Sequence, residues 1–252
     1  MAEVELARDG AVLTITLNRP DVLNAFTRET HKAFRAALTE ARSAEVGAVI
    51  VTGAGRGFCV GQDLQEFRED GGDVADRLRT AYNPTILAIR RLEKPVLAAV
   101  NGVAAGAGVS LACACDIRIA ADGATFVPAF VNIGLIPDMG GTYFVTRLLG
   151  YPRAFEWMTS GRKLTAAEAH GWGLVSEVVE DERLGARASE VAAQLASMPR
   201  AGVGMTKRLL DRASSLRLEE QLELEAQLQA AATQSEEFAR GVASFLEKSR
   251  ER

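Results

Sequence analysis

The sequence predicts an α/β fold in which a strand-containing core is followed by a helical tail. Short apolar stretches alternate with helical stretches as far as a strand predicted at residues 176–179, and glycine-rich turns follow several of the predicted strands. From about residue 183, helix-forming residues dominate and no strand pattern remains. The chain is therefore divided into a core, residues 1–195, and a helical region, residues 196–252.

The first half of the chain contains clear local signals. Apolar and polar residues alternate on both sides of Asp9-Gly10, which predicts a β-hairpin. Thr27 precedes a stretch whose apolar residues fall on one helical face, so we expect it to cap a helix. The charged stretch 65–79 is expected to be exposed and mobile. The apolar pattern further predicts strands at 46–52, 96–100 and 116–120, a helix through 86–92 and a short helix that ends near 115.

The second half is predicted to become progressively helical. The passage FVNIGLIPDMGGTYFVTRLLG, residues 130–150, ends in an apolar helix, and Thr165 and Glu168 have capping-box spacing before a short helix. The tail needs a surface to pack against. Its helical pattern leaves two partners open, the core of the same chain or another subunit.

Composition restricts the classes of partner. The chain has 252 residues, 48% of them hydrophobic, a net charge of -4 and a pI near 5.4. A nucleic-acid-binding face needs clustered excess cations, so the charge balance disfavours this class of partner. The start MAEVELARDG lacks the basic and apolar regions of a signal peptide. The uncharged segment 95–115 contains a proline and several glycines, which favours a buried strand, turn and short helix over a membrane span.

Cysteine and histidine usage favours a cytoplasmic protein without a metal site. The cysteines, Cys59, Cys113 and Cys115, are odd in number, and we expect reduced, buried thiols. The histidines, His31 and His170, stand alone without metal-ligand spacing. No metal is therefore predicted.

The stretch VTGAGRGF, residues 51–58, invites comparison with nucleotide-binding loops. Thr52, Gly53 and Gly57 fit the loop of short-chain dehydrogenases, but Cys59 stands where that loop needs its last glycine. The Tyr-x-x-x-basic pattern at 143–147 has arginine in place of lysine, and no Walker A lysine is present. A nucleotide site is therefore disfavoured.

Four passages rich in glycine and polar residues follow one another along the chain: LNRPDVLNAF (17–26), GFCVGQD (57–63), NGVAAGAGVSLACACDI (101–117) and GLIPDMGGT (134–142). Together they resemble the crotonase, or enoyl-CoA hydratase/isomerase, superfamily over nearly the whole chain. The passages AVNGVAAGAG, IGLIPDMGGT and LTAAEAHGWGLV are most similar to the phenylacetate-pathway enoyl-CoA isomerases, which act on ring-epoxidised phenylacetyl-CoA. The resemblance implies a ClpP-like spiral of ββα units and a C-terminal helical trimerisation region, assembled as trimers or hexamers.

The resemblance also implies what two of the glycine-rich turns hold. In this superfamily, two backbone N–H groups from these turns bind the thioester oxygen, and their positions here are Gln62 and Ala107. Such donors stabilise the enolate that forms when a proton near a thioester is removed. Gly61 and Gly106 let the chain turn there and keep Cβ atoms away from the thioester.

The residues alone favour a helix-capping role for Asp138, which precedes Met-Gly-Gly-Thr, whereas the resemblance favours a catalytic role. It caps the following helix, or it is the acid/base residue that the resembled isomerases carry at this aspartate. The two glutamates that hydratases use are replaced here by Ser110 and Phe130, so ordinary hydration is disfavoured. Phe130 is expected to exclude water and to raise the pKa of Asp138.

The contacts to CoA are also implied by the resemblance alone. Hydratases often carry lysine where this chain has Gln65, and Arg19 is a further candidate for the phosphates. No cofactor is implied beyond the CoA that the substrate carries. The residues expected to contact the acyl-CoA, besides Gly61, Gly106 and Phe130, are Leu23, Ala25, Asp63, Leu64, Phe245 and Lys248.

The sequence thus predicts an acyl-CoA isomerase with an oxyanion hole at Gln62 and Ala107 and a proton-transferring Asp138. One alternative is an enoyl-CoA hydratase or another reaction of the superfamily. Another is a non-catalytic acyl-CoA-binding or RNA-binding relative. The sequence leaves open whether the substrate is a linear 3-enoyl-CoA or an oxygenated seven-membered ring.

Overall fold

A computed structural model describes residues 2–69 and 71–250, with side chains as far as residue 247. Within these residues the strands form one six-stranded and one four-stranded sheet. The strands are β1 (Val4–Asp9), β2 (Val12–Leu17), β3 (Ala48–Gly53), β4 (Gly57–Cys59), β5 (Val96–Val100), β6 (Val103–Ala105), β7 (Ile117–Ala121), β8 (Thr125–Val127), β9 (Leu164–Thr165) and β10 (Glu177–Val179).

The two sheets are built from repeated pairs of strands. The large sheet has the order β1-β2-β3-β5-β7-β10 and the small one β4-β6-β8-β9. The pairs β3–β4, β5–β6 and β7–β8 therefore each give their first strand to the large sheet and their second to the small one. Only the β1–β2 hairpin and the β8–β9 pair are antiparallel within the described residues. This arrangement confirms the spiral of strand-strand-helix units and the hairpin at Asp9-Gly10.

Helices connect and cover these strands. Thr27 caps α1, and Thr165 forms a capping box with Glu168 before α8, as predicted. The helices are α1 (Arg28–Glu40), α2 (Leu64–Glu69), α3 (Val74–Arg77), α4 (Asn83–Arg91), α5 (Ala107–Ala114), α6 (Gly141–Leu149), α7 (Tyr151–Ser160), α8 (Ala166–Gly171), α9 (Leu184–Ala196), α10 (Arg200–Ala213), α11 (Leu218–Ala232) and α12 (Glu236–Arg250).

The stretch 65–79 differs from the prediction. Most of its described side chains are exposed, as expected, but its backbone forms α2 and α3 and continues through a π-helical turn, Leu78–Tyr82, into α4. Arg77 is only 4% exposed and lies over the Phe67 ring. A guanidinium that stacks on an aromatic ring buries its alkyl stem as well. The charge pattern of the sequence does not show such stacking, so the burial of Arg77 was not predicted.

The core lies between the large sheet and the elements that cover it. All residues of β5 are buried, as expected for a parallel strand that is covered on both faces. α9 packs against β3 and β5, and the short α5 is buried throughout. The segment 95–115 thus forms the expected strand and short helix, with an additional short strand, β6, between them. No helix within the described residues is long and apolar enough to cross a membrane.

The thiols also lie where they were expected. Cys59, Cys113 and Cys115 are buried and unpaired. Burial raises the pKa of Cys59 and Cys115 to about 12 and that of Cys113 to about 11, so all three are unreactive thiols at neutral pH. Residues 2–69 and 71–250 contain no cluster of side chains suited to a metal ion.

The helical region is fastened to the core by a buried lysine. Lys207 on α10 donates to Asp116 Oδ2 at 2.8 Å and to the carbonyl oxygens of Ile89 and Lys94 at 3.1 and 3.0 Å. Arg90 also binds Asp116, at 2.9 Å. By contrast, α11 and α12 expose large apolar side chains, including Leu218 at 69%. The tail therefore packs on its own core through α10, and the boundary near residue 195 stays a prediction.

We expect Lys207→Met to lower the free energy of unfolding by about 3 kcal/mol, because it removes one partner of a buried ion pair and one hydrogen-bond donor from each of the Ile89 and Lys94 carbonyl oxygens. Denaturant unfolding measures this change. Lys32→Met is the control, since the Lys32–Glu29 pair is 74% and 66% exposed and should contribute less than about 1 kcal/mol. Equal effects of the two substitutions would contradict the assignment of Lys207 as the residue that fastens the helical region to the core.

Candidate active site

The backbone N–H of Gln62 points away from its neighbouring strand. Gln62 forms an isolated parallel bridge with Phe26, in which Phe26 N donates to Gly61 O at 2.7 Å and Asp63 N donates to Phe26 O at 2.8 Å. These bonds use the groups on either side of Gln62. Within the described chain, the Gln62 N–H itself donates no backbone hydrogen bond. It is therefore available to a ligand.

Ala107 supplies a second such group. It is the first residue of α5, where backbone N–H groups have no acceptor within the helix. Among the residues described, it makes no backbone hydrogen bond with any other segment. Gln62 and Ala107 line the same cavity, and the N-terminus of α5 adds a favourable dipole for negative charge there. The structure thus brings the two expected oxyanion donors together.

The glycines beside the donors are required by the backbone. Gly106 has φ 51° and ψ −123°, a backbone conformation that residues other than glycine rarely adopt. Gly61 has φ +95°, and a Cβ atom there would lie 3.1 Å from Ala107 N. A side chain at Gly61 would therefore crowd the Ala107 N–H.

The cavity beside these donors has a volume of about 300 Å³. The polar or charged residues in its wall are Gln62, Asp63 and Asp138, and the wall also includes Ala107. A small apolar chamber with few polar groups is typical of a site that orients an acyl group. The apolar part of the wall consists of Val22, Ala25, Val60, Leu64, Phe67, Ala129, Phe130, Ile133 and Leu135.

Asp138 lines this cavity and has an incompletely satisfied carboxylate. Its Oδ1 is buried and has no hydrogen-bond partner within the described residues. Burial is the main cause that raises the pKa of Asp138 to about 6, against a smaller opposing effect of its own backbone N–H. A carboxylate with these properties is able to accept and return a proton near neutral pH.

The alternative role of Asp138 as a helix cap is wrong. α6 begins at Gly141, its N-cap is Gly140, and no side chain caps it. The Asp138 carbonyl, not its carboxylate, is engaged there: it accepts hydrogen bonds from Gly141 N and from Ser110 Oγ, both at 2.8 Å. These two bonds fix the main chain and leave the carboxylate free for chemistry.

The other carboxylate in the wall is already committed. Asp63 accepts a hydrogen bond from Arg19 Nη1 at 3.0 Å and caps the backbone at Gln65 and Glu66. Burial acts to raise the pKa of Asp63, but these hydrogen bonds outweigh it and leave the pKa below its ordinary value. Asp63 therefore stays ionised and structural, and Asp138 is the acid/base candidate.

Ser110 and Phe130, at the positions of the two hydratase glutamates, provide no carboxylate. Ser110 is fully buried and supports the Asp138 backbone, while Phe130 is 7% exposed and forms part of the apolar wall. Among the described residues that line the cavity, Asp63 and Asp138 are thus the only acids. The arrangement favours proton transfer by a single carboxylate over activation of water by two.

The residues expected to bind CoA are placed unevenly. Ala25, Asp63 and Leu64 line the cavity. The Leu23 side chain instead packs against Gly57: a Cβ atom added at Gly57 would lie 3.2 Å from Leu23 Cβ. Arg19 is held by Asp63 and by Ala25 O, at 2.7 Å. The role of these residues toward CoA remains a prediction.

The tail candidates lie apart from this cavity. Phe245 on α12 is 70% exposed and borders a separate groove between α10 and α12. The side chain of Lys248 lies outside the described residues. Within a single chain, Phe245 therefore does not line the cavity that is expected to hold the acyl group.

Two side chains next to Gln62, those of His31 and Met139, were not anticipated. His31 lies within hydrogen-bond distance of the Gln62 carboxamide, whose Nε2 donates to Met139 Sδ at 3.1 Å. His31 stands three residues before Phe34 and seven before Leu38, on the apolar face of α1. This spacing already indicated burial of the histidine. Its contact with residue 62 had no signal in the sequence.

Comparison with known proteins gives consistent results over nearly the whole chain. A family model described as enoyl-CoA hydratase/isomerase matches residues 7–252. The chain is 43% identical to the 1,2-epoxyphenylacetyl-CoA isomerase of Escherichia coli (strain K12), over 94% of this chain and 92% of that protein. It is 44% identical to a Rhodobacter capsulatus protein named a probable enoyl-CoA hydratase, over 93% and 91%. The crystal structure of an enoyl-CoA hydratase from Mycobacterium smegmatis superposes with a TM-score of 0.92 at 32% identity, over 98% and 96% of the two chains.

Proposed function

The chain belongs to the enoyl-CoA hydratase/isomerase family, and within it we propose that the protein is an acyl-CoA isomerase. It moves a double bond, or rearranges a ring, by proton transfer next to a CoA thioester. One observation carries the proposal. Asp138, whose Oδ1 is buried and unpaired, lines the same cavity as Gln62 and Ala107, and no second uncommitted carboxylate is among the described residues of the wall.

The proposed mechanism starts at the thioester. Its carbonyl oxygen accepts hydrogen bonds from Gln62 N–H and Ala107 N–H, which favour the enolate over the neutral ground state. Asp138 removes a proton from the α-carbon of a 3-enoyl-CoA, and the electron pair moves into the enolate. The same carboxyl group returns the proton to the γ-carbon, so that the double bond moves into conjugation and the base is regenerated.

Two observations support the choice of acyl-CoA substrate: the apolar wall of the cavity and the similarity of the chain to known proteins. The apolar chamber of about 300 Å³ suits a short acyl chain or one ring. The name of the Escherichia coli relative, 1,2-epoxyphenylacetyl-CoA isomerase, favours an oxygenated ring and hence a role in aromatic-acid breakdown. As part of the same proposal, the enzyme is cytoplasmic, contacts CoA through the residues predicted from the sequence, and assembles as a trimer or hexamer through its exposed tail helices.

The second candidate is an enoyl-CoA hydratase, which is favoured by the names of several relatives. Hydration requires a group that activates water and another that delivers the proton. Here Ser110 binds a backbone carbonyl and Phe130 is apolar, which makes this reaction the weaker candidate. The acidic composition also weighs against an RNA-binding relative, and unchanged fluorescence of labelled RNA at physiological salt would exclude it.

Two absorbance assays test the proposal. In the first, a 3-enoyl-CoA gains absorbance as it becomes the conjugated 2-enoyl-CoA; in the second, a 2-enoyl-CoA loses absorbance as water adds. We expect isomerisation at a catalytic rate and negligible hydration by the same preparation. Rapid hydration without isomerisation would overturn the assignment and favour the hydratase.

The pH profile is a further prediction. Asp138 has to be ionised to take a proton, and burial raises its pKa to about 6, so kcat/KM should fall as the pH is lowered through that value. His31 remains neutral over this range because burial lowers its pKa to about 4. Steady-state kinetics between about pH 5 and pH 8 measure the profile. A flat profile over this range would argue against Asp138 as the base.

A further inference from the structure

His31 is a buried histidine directly behind the oxyanion donor Gln62. Its side chain is fully buried, and its ring is stacked between Phe26 and Tyr82, with centroid distances of 4.5 and 4.6 Å. Burial is the main reason that the pKa of His31 is lowered to about 4, so the ring is neutral at physiological pH. A neutral imidazole has one N–H donor and one acceptor, and its neighbours decide which nitrogen is which.

The neighbours of His31 select one tautomer. Nε2 lies 3.2 Å from Gln62 Oε1, and this amide oxygen can only accept, so Nε2 carries the proton. Nδ1 is then the acceptor, and it lies 2.9 Å from Thr85 Oγ1, whose hydroxyl has both Nδ1 and the carbonyl oxygen of Ala81, at 3.2 Å, within reach. The two stacked rings fix the plane of the imidazole, and the two hydrogen bonds fix its rotation. The Gln62 carboxamide is therefore held from one side by a rigid donor.

The other side of the Gln62 carboxamide contacts the segment that carries the base. Its Nε2 donates to Met139 Sδ at 3.1 Å, and Met139 directly follows Asp138. Met139 is 1% exposed and has φ 49°, a conformation that a residue other than glycine keeps only when its surroundings hold it. A continuous chain of contacts thus runs from Thr85 on α4, through His31 and Gln62, to the segment that carries Asp138.

We propose that His31 is a positioning residue, which holds the Gln62 side chain so that the Gln62 N–H and the Asp138 carboxylate keep a fixed mutual geometry. The inference rests on the proposed function, because it concerns thioester polarisation and proton transfer at that same site. His31 is behind Gln62 and does not touch the substrate. Its effect is expected in catalysis more than in binding, since small displacements of reacting groups lower rates strongly.

Two substitutions separate positioning from packing. His31→Phe keeps an aromatic ring between Phe26 and Tyr82 but removes the donor to Gln62. His31→Gln supplies an amide donor near the position of Nε2 but removes the stacked ring. For His31→Phe we expect kcat to fall about tenfold while KM changes by less than about twofold, and for His31→Gln a smaller fall in kcat. The reverse order of the two kcat values would show that His31 only packs, and would overturn the proposal.

A double-mutant cycle tests the connection to Gln62. Gln62→Met removes the carboxamide that His31 holds and retains a side chain of similar length. In that background, His31→Phe should lower kcat by less than about twofold, because the interaction it disrupts is already absent. A full tenfold loss in both backgrounds would show that His31 acts independently of Gln62 and would overturn the proposal. Denaturant unfolding of each variant verifies that the proteins compared are folded.

A spectroscopic readout distinguishes failure of this inference from failure of the proposed function. Cinnamoyl-CoA has no proton on its γ-carbon and cannot be isomerised, yet its absorption shifts to the red when an oxyanion hole polarises the thioester. We expect a red shift with the wild type, at least halved with His31→Phe and largely retained with His31→Gln. A wild type that shifts the band but isomerises nothing would refute the isomerase while leaving this readout valid. An unchanged shift and kcat in His31→Phe would refute the positioning role alone, and no shift with the wild type would refute both.

Discussion

Replacing Asp138 by asparagine is expected to lower kcat for isomerisation by about 10³-fold, with little change in KM. The substitution preserves the shape of the side chain but removes the only uncommitted carboxylate among the described residues of the cavity wall. General acid–base groups typically contribute 10² to 10⁴-fold, and this reaction uses the same group twice. The absorbance assay with a 3-enoyl-CoA measures the loss.

The same substitution should make the protein more stable at neutral pH. The native state binds a proton at Asp138 more tightly than the unfolded chain does, since the pKa of this carboxyl is about 6 in the fold, above its ordinary value of 3.8. Stability is therefore lost as the pH rises from about 4 through 6, and at 1.36 kcal/mol per pKa unit the loss is about 3 kcal/mol. Asp138→Asn removes this cost. Its unfolding free energy should exceed that of the wild type by up to about 3 kcal/mol at pH 8, and the difference should shrink towards pH 4.

Asp9→Asn is the matched control for both measurements, because Asp9 is exposed in the β1–β2 hairpin, far from the cavity wall. It should leave kcat and its pH dependence unchanged. Isomerase activity that survives in Asp138→Asn would refute the proposed base. A variant that is inactive and also destabilised at pH 8 would show that the carboxylate supports the fold, contrary to the buried, unpartnered Oδ1.

Gly61→Ala is expected to lower kcat/KM by about 10²-fold. The added methyl group would lie 3.1 Å from Ala107 N, in the space that the thioester oxygen needs, and φ at this position is +95°. Losing one donor of an oxyanion hole typically costs 10² to 10³-fold in kcat. Kinetics with the 3-enoyl-CoA, together with the red shift of bound cinnamoyl-CoA, measure the loss of polarisation.

Gly10→Ala provides the control for backbone strain. Gly10 has φ +53°, but a Cβ atom there would meet nothing within 4 Å, and the residue is in the distant hairpin turn. It should lower stability by about 1 kcal/mol, as expected for a non-glycine residue at positive φ, and leave activity intact. Equal kinetic losses in Gly10→Ala and Gly61→Ala would mean that strain, and not obstruction of Ala107 N–H, accounts for the effect.

Much of the local structure was predictable because it is encoded within a few residues. The alternation around Asp9-Gly10 produced the hairpin, and Thr27 and Thr165 cap the helices that follow them. The predicted strands are present: the ends of 96–100 coincide with those observed, and the ends of the others shift by at most two residues, as for 46–52, observed at Ala48–Gly53. Hydrophobic periodicity and capping are short-range signals, so these elements did not require knowledge of the fold.

The composition of the site was less predictable because its contacts join distant segments. Asp138 had two plausible roles until the start of α6 at Gly141 removed the capping role. The two glycines after Met139 allow a helix to begin at more than one residue, and the sequence does not choose between them. The burial of Arg77, and the contact of His31 with Gln62 across 31 residues, depend on how whole elements pack. No local pattern reports such contacts.

The alternation of paired strands between the two sheets has a consequence for how the reaction is encoded. The β3–β4 unit supplies Gln62, the β5–β6 unit supplies Ala107, and the chain after the β7–β8 unit supplies Asp138. In the proposed mechanism, stabilisation of the enolate and transfer of the proton are thus encoded in separate segments of the chain. Exchanging the segment 128–142 would replace the residue that moves the proton but would leave the Gln62 and Ala107 N–H groups in the chain, so other reactions of a bound thioester become accessible through one loop.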